Sequence, residues 1–190
     1  MPDLFVIGGP NGAGKTTTAR GMVSTFLGCA EFVNADEIAR GLSAFRPESV
    51  APQAGRIMLE RLRALARQGV DFAFETTLAS RSFAPWLRER QQQGYGVHLI
   101  YLWLPTPELA IERVARRVRA GGHNVAEVII RRRYERGRVN FGALYTPLAD
   151  TWEAYDNSGF EPYLVAFGGR DEPTTVLEPE NWQRIKGKSA

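Results

Sequence analysis

The residues best suited to chemistry stand near the start of the chain. Residues 9–16 read GPNGAGKT, which matches the pattern G-x-x-x-x-G-K-[ST] in full. Glycines let backbone N–H groups turn inward around phosphate oxygens, the lysine reaches the β- and γ-phosphates, and the hydroxyl can ligate Mg²⁺. The spacing therefore predicts a phosphate cradle with Lys15 on the phosphates and Thr16 on the metal. The residues expected to bind the nucleotide here are Gly9, Pro10, Asn11, Gly12, Ala13, Gly14, Lys15, Thr16 and Thr17.

The composition also sets Lys15 apart. The chain has 21 arginines and 3 lysines, and the other two lysines lie within the last five residues. Because arginine fills nearly every basic position, a lone internal lysine indicates a place where a compact ammonium group is needed.

A carboxylate follows the second apolar run, 31–36, which reads EFVNAD. A kinase must orient a hydroxyl in line with the γ-phosphorus, and a carboxylate at a strand end suits that task. We expect Asp36 to be this base and to contact the substrate. Asn34 and Glu37 are alternatives, and Asp36 is also a good N-cap for the helix that follows.

A second carboxylate, Glu75, lies in the apolar run 70–77, which reads VDFAFETT. A buried carboxylate is costly unless it has a partner. A substrate hydroxyl, a Mg²⁺ shell or an ion pair with an arginine would each supply one. Thr77 stands at the same predicted strand end, so we expect Glu75 and Thr77 to contact the substrate.

The segment 111–138 carries nine arginines around a Gly-Gly pair. Unpaired like charges on one helix face are mildly unfavourable, and a bound triphosphate would reverse that effect. We therefore predict a helical lid over about 113–138, with Arg117 and Arg133 on the transferred phosphoryl group and Arg113 on the nucleotide. The alternative is an ordinary solvated face. The arginines without an acid in helical register are Arg113, Arg117, Arg133 and Arg136, whereas Arg131 lies between Glu127 and Glu135.

The elements that position these residues alternate between strand and helix. Such alternation is the signature of a parallel sheet covered by helices on both faces, in which ligands bind beyond the carboxyl ends of the strands. We expect one α/β domain over 1–190, a three-layer P-loop NTPase sandwich with about five parallel strands. The predicted strands are 4–9, 31–36, 70–77, 96–104 and 163–169. The predicted helices are 15–26, 47–67, 82–93, 106–119 and 125–155.

Composition narrows the class of protein further. The single cysteine, Cys29, excludes an internal disulfide, and we find neither a signal peptide nor an apolar run of the roughly 20 residues needed to span a bilayer. These features predict a cytoplasmic protein with no membrane partner. The net charge of +3 fits anionic ligands, and the lack of a basic-aromatic pattern argues against nucleic acid.

Other P-loop classes lack their signatures in this chain. There is no N-K-x-D for reading guanine, no L-S-G-G-Q, and no apolar strand that ends in Asp-Glu. These absences favour a small kinase, in which a second substrate supplies the nucleophile.

Four blocks together resemble the zeta-toxin family of bacterial P-loop kinases: GPNGAGKTT, NADEIAR, FAFETTLAS and RVRAGGHNVAEVIIRRRYERG. The resemblance covers roughly residues 4–145. It implies ATP- or GTP-dependent, Mg²⁺-assisted phosphorylation of a sugar hydroxyl on UDP-N-acetylglucosamine, and an antitoxin as a partner protein.

The resemblance also implies roles for individual residues. Asp36 matches the family's base, and Glu75 with Thr77 matches its substrate-contacting Glu-x-Thr. Arg117 matches a lid arginine, and Arg81 follows the Glu-x-Thr block as a substrate arginine. The second lid arginine of the family has no aligned counterpart, so Arg133 is expected to substitute for it.

Two other readings remain open at this point. One is a P-loop kinase for another acceptor, such as a nucleic-acid end, a nucleoside or an antibiotic. The other is a nucleotide-binding module without catalysis, which predicts tight nucleotide binding and no ADP production stimulated by an acceptor.

Overall fold

Within residues 1–25, 28–122 and 124–187, which the computed structural model describes, seven strands form one sheet in the order β2-β3-β1-β4-β5-β6-β7. Residue 123, inside the predicted lid, lies outside the described residues. The strands are β1 Asp3–Gly8, β2 Phe32–Val33, β3 Phe72–Thr76, β4 Gly96–Trp103, β5 Thr151–Asp156, β6 Tyr163–Gly169 and β7 Thr175–Val176. The helices are α1 Lys15–Thr25, α2 Ala35–Leu42, α3 Ala51–Gln68, α4 Phe83–Gln92, α5 Pro107–Arg119, α6 Glu127–Asn140 and α7 Pro179–Lys186.

The centre of the sheet consists of parallel strands buried on both faces. β1 pairs with β3 on one side and with β4 on the other, and all three read as continuous apolar runs. In this register Ile7 lies opposite Glu75 and Gly8 opposite Thr76. The end of β1, from which the glycine loop departs, therefore lies directly beside the end of β3.

Two hydrophobic clusters cover the two faces of the sheet. One includes Met58, Leu62 and Leu65 of α3 and Trp182 of α7. The other includes Ala110 and Val114 of α5 and Ile130 of α6. Helices thus pack on both faces, which confirms the predicted three-layer α/β class.

One of the predicted helices is too long. The helix predicted over 125–155 ends as α6 at Asn140 and continues as one π-helical turn, Phe141–Tyr145. The residues of β5 then alternate between buried and less buried positions, which is the period of a strand. Pro147 intervenes, and its missing N–H disfavours a continuous helix through this region.

The sheet is consequently larger and more mixed than expected. β5 pairs parallel to β4, so it is the fifth parallel strand. The segment 163–169, predicted as that strand, is β6 and runs antiparallel to β5, with β7 antiparallel at the edge. In the described part of the chain, no helix is long and apolar enough to cross a membrane.

Candidate active site

The glycine loop connects β1 to α1 at the carboxyl edge of the sheet. Gly9 has φ +144°, and a Cβ there would lie 2.3 Å from the carbonyl oxygen of Leu102. Only glycine fits both the conformation and this close approach. Because α1 begins at Lys15, the positive end of the helix faces the space that the loop encloses.

Lys15 is directed into this space and is almost fully buried, with 5% of the residue exposed. Its Nζ donates to the carbonyl of Pro10 at 2.9 Å and lies 3.5 Å from Glu75 Oε1. A buried ammonium needs such partners. The counter-charge of Glu75 is therefore the cradle lysine, not one of the many arginines.

Glu75 is held by three groups of the site. Besides Lys15, its Oε2 accepts hydrogen bonds from Thr16 Oγ1 at 2.6 Å and from Asn34 Nδ2 at 2.7 Å. Asn34 Nδ2 also lies 3.2 Å from Thr16 Oγ1. The cradle, the end of β3 and the start of α2 therefore meet at one carboxylate.

This donor set fits Mg²⁺. A hydroxyl and a carboxylate oxygen 2.6 Å apart are hard oxygen donors of the kind the ion prefers. The ion commonly uses one or two protein oxygens and completes its shell with phosphates and water. Thr16 was the predicted metal residue, and the structure places Glu75 beside it as a second oxygen donor.

Asn11 shows that the cradle also fits a polar ligand. The residue is 6% exposed, and its Oδ1 is buried without a hydrogen-bond partner among the residues that the structure describes. A buried polar atom without a partner is costly. An amide presents an acceptor at one end and two donors at the other, so a ligand in the cradle can satisfy it in either orientation.

Asp36 lies in the first turn of α2 and is exposed to the cleft. The possibility that it caps this helix is wrong, because the N-cap is Asn34. The Asn34 Oδ1 accepts from the backbone N–H of Asp36 at 2.7 Å and, more weakly, from that of Glu37 at 3.4 Å. The carboxylate of Asp36 is therefore not needed to begin the helix.

Arg133 of α6 faces Asp36 across the cleft. Burial lowers the pKa of its guanidinium below the ordinary value, and the negative charge of Asp36 acts in the opposite direction. The structure thus brings a half-buried arginine and a carboxylate together at the mouth of the cradle, although 97 residues of sequence separate them.

These side chains line one cavity of about 200 Å³. Its lining includes Asn11, Lys15, Asn34, Asp36, Glu75, Thr77 and Arg133. Arg133 also lines a larger neighbouring cavity of about 590 Å³, between α2, the start of α3 and the turn from α5 to α6. The two cavities are therefore neighbours that share Arg133 in their linings.

Three other predicted arginines lie elsewhere. Arg113 donates to the carbonyls of Asn157 and Ser158, both at 2.7 Å, beside the glycine loop. Arg117 packs on the turn after α5, where a Cβ at Gly122 would lie 2.5 Å from its Cγ. Arg81 is exposed in the turn before α4 and is not part of the cavity lining.

The partner of Arg131 differs from the sequence prediction. Its guanidinium pairs with Glu108 of α5, at the surface, rather than with a glutamate of its own helix. The packing of α6 against α5 brings these two side chains together, and helical register within α6 alone did not contain that information. Arg131 remains neutralised and outside the cleft.

A further cavity of about 580 Å³ lies on the outer side of the glycine loop. Its lining includes the predicted nucleotide residues Gly14, Thr17 and Arg113, together with the fully exposed ring of Phe160. An aromatic ring and an arginine beside a phosphate cradle offer flat surfaces against which a nucleobase can stack.

One residue that shapes this site was not predicted from the sequence. Asn157 Nδ2 donates to the carbonyl of Ala13 in the glycine loop at 2.7 Å. The signal for it was the turn sequence DNSG at 156–159, which typically ends a strand. The helix predicted through 155 concealed that strand end.

A glycine loop that runs from a buried parallel strand into a helix, with its lysine and threonine at the helix start, defines a P-loop nucleotide-binding fold. The chain belongs to the AAA domain family, whose model matches residues 4–139. An uncharacterized protein of Haemophilus influenzae is 30% identical over 127 residues, which cover 66% of this chain and 88% of that protein.

Solved structures share the fold at low sequence identity. A chain of the AvrRxo1-ORF1:AvrRxo1-ORF2 complex crystallised with ATP matches 98% of this chain with a TM-score of 0.75 and 17% identity. This chain spans 64% of that chain's length. A chain of the PezAT chromosomal toxin–antitoxin system of Streptococcus pneumoniae matches all of this chain and 80% of its own length, with a TM-score of 0.66 and 20% identity. The resemblance to zeta toxins is thus confirmed at the level of the fold.

Proposed function

We propose that this protein is a phosphotransferase that moves the γ-phosphoryl group of ATP or GTP, with Mg²⁺, to a hydroxyl of a small molecule. One observation carries the proposal: Lys15, Asp36, Glu75 and Arg133 line the same cavity at the mouth of the cradle. A cation for the phosphates, a carboxylate for the hydroxyl and a second cation for the migrating charge are the groups that phosphoryl transfer requires.

The residues have separate roles in this proposal. Lys15 neutralises the β- and γ-phosphates, and Thr16 and Glu75 would hold Mg²⁺, which would offset the negative charge of the phosphates. Asp36 accepts the proton of the acceptor hydroxyl as its oxygen attacks the γ-phosphorus and the bond to the nucleoside diphosphate breaks. Asp36 suits this role because its side chain is exposed to the cleft and is not the helix cap.

We place the acceptor in the cavity of about 590 Å³ that adjoins the cleft through Arg133. Its lining combines Arg40, Glu48 and the fully exposed ring of Phe45. This mixture of charges and an aromatic surface suits a polar molecule with a ring. A nucleotide sugar, such as UDP-N-acetylglucosamine, combines hydroxyls, phosphates and a base, and is the acceptor that the likeness to zeta toxins favours.

We propose that the lid moves during the reaction. The segment 113–138 spans the second half of α5 and most of α6, and its turn forms one wall of the acceptor cavity. Closure around the bound substrates would bring Arg117 towards the phosphates beside Arg133 and exclude water, which limits hydrolysis of ATP. Arg81 and Thr77 are proposed to contact the acceptor from the turn after β3.

We also propose that this protein binds a partner protein. The matched chains come from a two-protein complex and from a toxin–antitoxin system. We propose that this protein also acts in the cytoplasm and is held inactive by an antitoxin that covers its active-site cleft.

A screen of ATP consumption tests the function directly. Purified protein is incubated with Mg·ATP and, separately, with UDP-sugars, nucleosides or oligonucleotides, and ADP is measured. The proposal expects ADP production stimulated by UDP-N-acetylglucosamine and lost in Asp36→Asn. Stimulation by an oligonucleotide or a nucleoside alone would assign another acceptor, and tight ATP binding with no stimulated turnover would indicate a binding module.

A further inference from the structure

The segment after β5 connects parts of the site that are far apart in sequence. The backbone N–H of Asn157 donates to the carbonyl of Trp103, at the end of β4, at 3.0 Å. Its side-chain Nδ2 donates to the carbonyl of Ala13 at 2.7 Å. One residue therefore connects the glycine loop to the carboxyl end of β4, the central strand of the sheet, and it lies beyond the residues matched by the family model.

The bond from Asn157 constrains the direction of a neighbouring N–H. A trans peptide is planar, so the carbonyl of Ala13 and the N–H of Gly14 point in opposite directions. Because the Ala13 carbonyl is held by Asn157, the Gly14 N–H is directed away from Asn157. Gly14 has φ +80°, and a Cβ there would lie 2.7 Å from Asn157 Nδ2, so the two residues are in close contact.

A buried carboxylate fixes the turn that carries Asn157. Asp156 is 2% exposed and accepts from the backbone N–H of Ser158 at 2.8 Å, from the Tyr163 hydroxyl at 3.0 Å and from Asn181 Nδ2 at 3.2 Å. Tyr163 belongs to β6 and Asn181 to α7. The turn is thus anchored to the antiparallel edge and to the last helix.

Arg113 holds the same turn from the other side. Its guanidinium donates to the carbonyls of Asn157 and Ser158, both at 2.7 Å. The Cβ of Arg113 lies 3.1 Å from the position that a Cβ would take at Gly12. The turn, α5 and the glycine loop therefore form one packed unit in which the Asn157 amide has little freedom.

We propose that Asn157 is a positioning residue for the phosphate cradle. By holding the Ala13 carbonyl, it keeps the Gly14 N–H in the direction needed to donate to a nucleotide phosphate. Asp156 and Asn181 act through Asn157 by fixing the turn. The inference rests on the proposed function, because it requires that the loop bind phosphates.

Two substitutions of Asn157 test the role. Asn157→Ala removes the donor, and Asn157→Asp keeps the shape but sets a carboxylate oxygen against the Ala13 carbonyl. We expect the Kd for Mg·ATP, measured by calorimetry, to rise about tenfold in Asn157→Ala and further in Asn157→Asp. The KM for ATP should rise in parallel while the KM for the acceptor stays unchanged. Asn181→Ala should raise the Kd for Mg·ATP in the same direction by a smaller factor.

Gln91→Ala is the matched control. Gln91 Nε2 donates to the carbonyl of Leu148 at 2.9 Å and to Asp150 Oδ2 at 2.8 Å, at the opposite end of the sheet. This variant should lower the thermal midpoint without changing the Kd for Mg·ATP.

The binding measurements distinguish a failure of the positioning role of Asn157 from a failure of the proposed function. If the wild type binds Mg·ATP and both Asn157 variants bind it equally well, or Gln91→Ala weakens binding as much as they do, the positioning role is wrong and the proposed function stands. If the wild type does not bind Mg·ATP, the proposed function fails, and this inference fails with it.

Discussion

Thr16 and Glu75 are joined by a hydrogen bond of 2.6 Å from Thr16 Oγ1 to Glu75 Oε2. The bond connects the first turn of α1 to the end of β3, although 59 residues separate the two side chains. Asn34 donates to the same carboxylate oxygen at 2.7 Å, so the geometry of this pair is fixed from a third element. The pair therefore presents two adjacent oxygen atoms, which are the donors that we propose for Mg²⁺.

Glu75→Gln tests this site. The amide preserves the shape and an acceptor for Asn34, but it removes the negative charge that attracts Mg²⁺ and faces Lys15. We expect the Mg²⁺ concentration that gives half-maximal activity to rise about 10- to 100-fold, the range seen when groups around a metal site are altered. A titration of activity against Mg²⁺ at saturating ATP measures it. An unchanged midpoint would mean that Glu75 serves only Lys15 and Asn34.

Lys15→Ala is expected to remove phosphoryl transfer while the fold survives. The ammonium lies 3.5 Å from Glu75 and lines the cavity, and we propose that it serves the phosphates rather than the hydrophobic core. Loss of a cation that stabilises the transition state lowers kcat on the order of 10²–10³-fold. Lys186→Ala is the matched control, because Lys186 lies on α7 over the Trp182 ring. Wild-type turnover in Lys15→Ala would contradict the cradle.

Asp36→Asn should lower kcat by about 10²–10⁴-fold, because an amide cannot accept the proton of the acceptor hydroxyl. The Kd for Mg·ATP should stay within a few-fold, since Asn34 and not Asp36 caps α2. Glu37→Gln, one residue further on the same helix, is the control and should keep wild-type kcat. A large loss in Glu37→Gln with none in Asp36→Asn would exchange the roles of the two acids.

Much of the cradle could be predicted from sequence because its contacts are local. Residues 9–16 are consecutive, so the pattern alone places the lysine and threonine at the start of a helix. The partner of Glu75 was not predictable in the same way. Its bonds to Lys15, Thr16 and Asn34 depend on β3 lying beside β1, which is a property of the sheet order.

The wrong predictions for residues 151–156 and for the partner of Arg131 have a similar cause. The run 151–156 contains a tryptophan, a tyrosine and two acids, and it follows a long helical pattern, so its short alternation was read as helix. Its strand character depends on pairing with β4 on one side and β6 on the other. Tertiary context decides such segments. Arg131 shows the same limit, since its partner Glu108 belongs to another helix.

A buried tyrosine, Tyr145, makes the stability of the fold decrease at alkaline pH. Burial raises the pKa of Tyr145 to about 12, from an ordinary value near 10. The unfolded chain therefore loses this proton first as pH rises. The stability that Tyr145 contributes is fully present below pH 10 and declines as the pH rises through about 12.

Tyr145→Phe isolates that contribution. The hydroxyl donates to the carbonyl of Ser80 at 2.6 Å, so the variant should be less stable than the wild type by about 1 kcal/mol at pH 8. The difference should shrink as unfolding in urea is repeated between pH 10 and 12. A difference that stays constant over this interval would show that the tyrosine does not titrate with folding.

The last prediction concerns the arginines of the lid. Arg133 lines the cleft and faces Asp36. Arg131 lies two residues before Arg133 on the same helix, but it pairs with Glu108 at the surface. An arginine on the transferred phosphoryl group contributes on the order of 10³-fold or more to the rate, whereas an exposed ion pair contributes little to stability and nothing to the rate. Arg133→Ala should therefore lower kcat by orders of magnitude at saturating ATP, while Arg131→Ala leaves it unchanged.

Arg117→Ala distinguishes a closing lid from a static one. Arg117 packs on the turn after α5 and reaches the phosphates only if the lid closes over them. If closure occurs, Arg117→Ala should lower kcat to a similar degree as Arg133→Ala; if the lid is static, only Arg133→Ala should do so. The surface control Arg131→Ala reports only the general effect of removing a charge from this segment. Equal, small losses of kcat in all three variants would therefore contradict the role of Arg117 and Arg133 on the transferred phosphoryl group.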